Sequence, residues 1–94
     1  MNINTLIEKF NVPITIPEKW GNSSIDEEDE YTYHKETRDG HTVHVFQTES
    51  QDRTGNPGND EIIIDLEKML LTFIGADGTV FQVDENYTET MSIV

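Results

Sequence analysis

The chain has no cysteine, so neither a disulfide framework nor a thiolate metal site is open to it. That lack also fits a reducing compartment. Cations are scarce: 6 lysines and arginines stand against 19 aspartates and glutamates. No apolar run approaches the roughly 20 residues that span a bilayer. The opening Met1-Asn2-Ile3-Asn4-Thr5 lacks a basic region followed by an apolar one, so no secretory leader is expected and the cytoplasm is the expected compartment. In that setting the sequons Asn22-Ser23-Ser24 and Asn86-Tyr87-Thr88 read as chance. No serine sits in a Gly-x-Ser-x-Gly elbow. Gly55-Asn56-Pro57-Gly58 lacks the lysine and the following helix of a phosphate loop. No enzyme and no cofactor are expected from these absences.

What is present in excess is negative charge. The formal net charge is −13 over 94 residues, a length that makes one domain. Solubility of a small domain asks for only about 2–8 units. Self-repulsion at this level costs stability at low salt. It disfavours direct contact with DNA, RNA or an anionic membrane, and it favours a basic partner. A solvated acidic surface without a partner is the plain alternative.

The pattern of apolar residues predicts an α+β domain: a short N-terminal helix packed on an antiparallel β-sheet, a meander of about five or six strands. Asn4 to Phe10 reads as the helix, with Thr5 and Glu8 at capping-box spacing and Leu6, Ile7 and Phe10 on one face. Val12, Ile14 and Ile16 alternate between prolines, as in an edge strand or extended arm. Pro17 opens a single helical turn that ends at Trp20, the one tryptophan, read as a core or rim anchor. Residues 21–30 read as a mobile acidic loop, closing on the unbroken run Asp26-Glu27-Glu28-Asp29-Glu30. Tyr31 to Ser50 reads as a hairpin. Two registers are open: a two-residue Asp39-Gly40 turn pairs Tyr33 with Phe46 and His34 with Val45, whereas the preferred three-residue Arg38-Asp39-Gly40 loop puts Tyr31, Tyr33, Val43 and Val45 on one face and His34 opposite His44. Residues 51–60 read as a long surface loop. Glu61–Asp65, Met69–Ile74 and Thr79–Val83 read as strands joined by tight turns, with a weaker strand in Tyr87–Val94. A helix over Asp60–Leu71 is the rival reading, opposed by the β-branched Ile62-Ile63-Ile64.

Three constellations could bear chemistry. His34 and His44 with Glu36 nearby could hold zinc, although a solvated histidine ladder is the preferred reading. Asp52, Thr54 and Asn56 alternate like calcium ligands but lack the glycine and final glutamate of such a loop. The third is the carboxylate field itself. Carboxylates repeating along strands could meet the lysines and arginines of a groove built for nucleic acid. The expected contact residues are Asp26, Glu27, Glu28, Asp29 and Glu30, then Glu49 and Asp52.

Met1-Asn2-Ile3-Asn4, followed by Leu6-Ile7, resembles the start of small acidic anti-CRISPR proteins that block a type II CRISPR nuclease. The chain is similar to that class in size, charge and lack of cysteine, and no functional residue transfers from it. The resemblance implies a phage-encoded inhibitor, placed in the host cytoplasm, that blocks a nucleic-acid site by bulk and charge. The expected function is therefore inhibitory binding to a basic nucleic-acid-handling protein, such as a host-defence nuclease, with DNA mimicry as one form of it. The alternative is a small structural or assembly module acting through its sheet edge.

Overall fold

The computed structural model describes residues 2–25 and 29–93. Helix α1 spans Ile3–Lys9. It starts earlier than the sequence suggests because Asn2 is the cap, its side chain accepting the Thr5 N–H at 3.3 Å. Thr5 thus lies inside the first turn rather than at its head. Asparagine is a strong cap, and this start brings Ile3 into the fully buried face with Leu6. Asn11, at φ 52°, ends the helix: the Val12 N–H reaches Ile7 O at 3.0 Å and the Asn11 N–H reaches Glu8 O at 3.2 Å. That double return satisfies carbonyls the helix leaves open. Residues 12–16 continue as an extended arm without sheet pairing, burying Val12 and half-burying Ile14 and Ile16. A 3₁₀ turn, Glu18–Asn22, follows Pro17 and places Trp20 wholly inside.

Six strands follow: β1 (Tyr31–Arg38), β2 (His41–Gln51), β3 (Pro57–Asp65), β4 (Leu70–Ile74), β5 (Thr79–Val83) and β6 (Glu89–Ile93). They form one antiparallel meander in chain order, β1-β2-β3-β4-β5-β6. This is the α+β arrangement the sequence predicts, and the helix rival for Asp60–Leu71 is excluded. The surface loop read over 51–60 shrinks to 52–56, because β2 and β3 extend into it.

The first hairpin overturns the preferred register. Tyr33 pairs with Phe46 and His34 with Val45, across a two-residue Asp39-Gly40 turn. Both turn residues have positive φ, 51° and 81°, the type I′ geometry whose twist suits adjoining strands. The three-residue loop was favoured because it gathers the apolar residues on one face. The sheet does not need that economy: Val43, His44, Val45 and Phe46 are buried in succession, so over that stretch both faces of β2 are inside.

The longer loops share one device. Asp52 Oδ1 accepts from the amides of Thr54 and Asn56, and Asp84 Oδ1 accepts from those of Asn86 and Thr88. Each aspartate closes its loop before a left-handed residue reverses the chain, Gly55 in one and Tyr87 in the other. A tyrosine tolerates that conformation here because its ring packs on the core and its hydroxyl lies 3.4 Å from Ser23 Oγ.

One face of the sheet is covered by α1, the arm and the 3₁₀ turn. Ile3, Leu6, Val12, Trp20 and Ile25 pack there on Phe46, Ile62, Ile64, Leu71 and Val83. Trp20 latches the two halves together, its indole N–H donating to Asp84 O at 2.8 Å. The opposite face has its own smaller cluster, Val43, Val45 and Ile63 with Ile74 against them. No residue of Asn2–Ile25 joins that second cluster.

Candidate functional site

Alternation along the paired strands fixes what the helix-free face displays. From β2 it takes His41, Val43, Val45, Gln47 and Glu49; from β3, Asn59, Glu61, Ile63 and Asp65; from β4 and β5, Leu70, Thr72, Ile74, Val80 and Gln82. The face divides by charge.

At the end nearest the β1–β2 and β3–β4 turns, every cation is matched by acid. Arg38 Nη2 lies 2.6 Å from Glu36, which also meets His34 Nε2 at 2.7 Å. Lys68 Nζ lies 2.7 Å from Asp39. The His41 ring is set between two carboxylates, Asp65 at 2.8 Å on Nε2 and Glu67 at 3.6 Å on Nδ1. Its hydrogen bond to Asp65 raises the His41 pKa above the ordinary histidine value. Burial pushes the Asp65 carboxyl up, but the Lys68 amide and the His41 ring outweigh it and hold it below the usual range.

At the other end the acids lack such matches. Asp29 and Glu30, which lead into β1, line an open groove of about 570 Å³ with Gln47, Glu49 and Asn59. A second groove of about 600 Å³ continues past Glu49 and Asn59 to Pro57 and Gly58. The side chains of Asp29, Glu30 and Glu49 make no hydrogen bond or ion pair among the described residues. Glu61 accepts a hydrogen bond from Gln47 Nε2 at 2.9 Å but meets no cation there. Arg53, in the adjoining loop, is held by Asp77 at 3.2 Å.

Of the contact residues expected from sequence, the fold brings Asp29, Glu30 and Glu49 to one place. Asp26, Glu27 and Glu28 lie outside the described residues. Asp52 stands apart from the groove, and one of its carboxylate oxygens is turned into its own loop. Thr54 and Asn56 hold its pKa below the ordinary value. Asn56 Nδ2 donates to Thr54 Oγ1, and that hydroxyl donates to Asp52, so the calcium-like trio bonds to itself. Glu61, Gln47 and Asn59 were missed because their place depends on the β2–β3 register, in which Gln47 faces Glu61 and Glu49 faces Asn59.

The histidines do not form the expected ladder. His34 pairs with Val45 and His44 with Lys35, which puts the two rings on opposite faces and removes the zinc geometry. His44 is buried on the helix side, where its Nδ1 lies 2.8 Å from the Tyr33 hydroxyl, and burial lowers its pKa. Among the described residues no group of three histidines or carboxylates could hold a metal ion, and no helix is long and apolar enough to cross a membrane. No family model, curated protein or solved structure matches the chain.

Proposed function

We propose that this protein is a small acidic inhibitor that binds a basic, nucleic-acid-handling protein and blocks its nucleic-acid site. A phage-encoded inhibitor acting on a host-defence nuclease in the host cytoplasm is the form the resemblance suggests. The observation that carries the reading is the unbalanced charge of −13, with Asp29, Glu30 and Glu49 gathered at one groove without a cationic partner among the described residues. Carboxylates spaced along strands offer lysines and arginines the charge-assisted bonds that phosphate oxygens otherwise supply. Opposite charge also speeds the encounter. The activity is binding rather than catalysis.

A pull-down from host lysate, eluted by a salt gradient, tests this. The partner is expected to be basic and to leave at moderate salt, and nucleic acid is expected to displace it. Neutralising Asp29, Glu30 and Glu49 together is expected to weaken binding by about two orders of magnitude and flatten its salt dependence. Equal affinity and an equal salt slope in the neutralised variant would end the charge-based reading. A second reading, an assembly module, has one observation in its favour: Met91, on the edge strand β6, is 65% exposed. It predicts self-association that persists at high salt.

A further inference from the structure

The helix side of the sheet is closed by the chain's own first quarter, whereas no described residue of that quarter joins the apolar cluster on the opposite side. That side has its own apolar floor, Val43, Val45 and Ile63, each no more than 5% exposed. Beside the floor, Leu70, Ile74 and Val80 are only half-buried around a groove of about 290 Å³. Arg38, Asp39, Asp65, Lys68, Thr72 and Gln82 complete the lining, so the groove pairs half-buried aliphatic side chains that a partner could cover with a polar rim.

Charge decides the occupant. The apolar groove opens at one side onto cations already neutralised by Glu36, Asp39 and Asp65. Towards the other end of the same face stand Glu49 and Glu61, with no cation on either. Glu61 stands directly across from Ile74 in the β3–β4 register, and Glu49 lies one strand over and about 7 Å further along, so an extended segment of a few residues reaches from the groove to both. A second copy of this chain, itself of net charge −13, would be repelled by those carboxylates.

We propose that the helix-free face is the docking surface for the partner. Its occupant is an extended protein segment that sets lysine or arginine on Glu49 and Glu61 and an aliphatic side chain in the groove beside Ile63, Ile74 and Val80. This rests on the charge-based function above and deepens it. Charge selects a basic partner, and the apolar groove selects which segment of that partner binds and fixes its register.

The test uses the intact protein, ¹⁵N-labelled, and two synthetic peptides of eight residues. One is Arg-Lys-Arg-Gly-Ser-Leu-Ser-Leu; in the other, serines replace both leucines. The leucine peptide is expected to bind at least about tenfold more tightly, the effect of burying one aliphatic side chain. It should shift the amides of Val43, Ile63, Ile74 and Val80 together with Glu49. Glu49→Gln with Glu61→Gln should weaken both peptides by about tenfold. Val80→Ser should weaken only the leucine peptide, and Thr15→Ala, exposed on the arm across the sheet, should spare both. Equal affinity of the two peptides, with shifts confined to Asp29 and Glu30, would overturn the docking surface and leave the charge-based function standing. Binding of neither at low salt would remove both. Dimerisation of the free protein that protects these same amides would assign the face to a second copy and overturn the proposal.

Discussion

Replacing Trp20 by phenylalanine tests the latch between the N-terminal quarter and the far end of the sheet. The indole is fully buried, and its N–H donates to Asp84 O at 2.8 Å across 64 residues of sequence. Phenylalanine keeps an aromatic ring in the core but removes the donor. The lost hydrogen bond costs about 1 kcal/mol net. The smaller ring leaves apolar volume empty, roughly 2 kcal/mol at ordinary transfer and cavity values. The sum, about 3 kcal/mol, is a large share of the 5–15 kcal/mol typical of a domain. At about 4–8 °C per kcal/mol for a domain of this size, the midpoint should fall by roughly 12–24 °C. Urea unfolding followed by far-UV circular dichroism is the assay, because the substitution removes the only tryptophan. The slope with urea should stay unchanged, since the exposed surface is nearly the same. Amide exchange should quicken at Asn86 and Thr88, whose N–H groups are held by Asp84. Ser23→Ala, which loses only a 3.4 Å contact, should cost less than about 0.5 kcal/mol. A Trp20→Phe loss below about 1 kcal/mol at constant slope would refute the latch, because the hydrogen bond and the cavity together cannot be so small.

Met69 holds φ 52° yet is 38% exposed, so Met69→Gly relieves left-handed strain and gives up little packing; a gain of about 0.5 kcal/mol in urea unfolding is expected, net of glycine's extra chain entropy. The raised pKa of His41 means that its ion pairs stabilise the fold fully below the unfolded histidine value of about 6.5 and lose that effect as pH climbs past the native value. His41→Gln should therefore flatten the alkaline side of the stability–pH curve. His44 acts in the opposite sense: its lowered pKa gives stability above the unfolded value that is lost as pH falls through the native one, so His44→Gln should flatten the acid side. Phe46→Ala, at the centre of the helix-side core, should cost about 3–5 kcal/mol, and calorimetry would register it as a steep fall in midpoint.

The strands were legible where local chemistry was strong. Ile62-Ile63-Ile64 is poor helix material, Asp39-Gly40 can only turn, and Ala76-Asp77-Gly78 can only reverse the chain. The helix was legible too, though its start was displaced because Asn2 and Thr5 compete as caps and burial of Ile3 decides between them. The hairpin register went wrong for a specific reason. Choosing it by one-sided burial assumes that only one face of β2 is inside, and over Val43 to Phe46 both are. The unbroken burial from Val43 to Phe46 was written in the sequence as an apolar stretch interrupted only by His44, which Tyr33 then satisfies with a hydrogen bond. The carboxylates Asp29, Glu30 and Glu49 were read from charge alone, and their convergence needed the β1–β2 pairing. Asp52 looked identical to them in sequence, and only its loop shows that one of its oxygens already accepts three hydrogen bonds.

By itself the sequence determined the charge, the absence of thiol chemistry and the succession of one short helix followed by strands. Each of these follows from composition or from contacts a few residues apart. Tertiary structure alone decided which acids are neutralised and which stand free, because ion pairing joins residues such as His41 and Asp65, or Asp39 and Lys68, that lie far apart along the chain. It also decided that the N-terminal segment covers one face of the sheet and that the other keeps a smaller core of its own. Alternation along a strand separates two faces but does not say which the N-terminal helix will take; that choice rests on the packing of Ile3, Leu6, Val12 and Trp20 against Phe46, Ile62, Ile64, Leu71 and Val83, residues far apart along the chain.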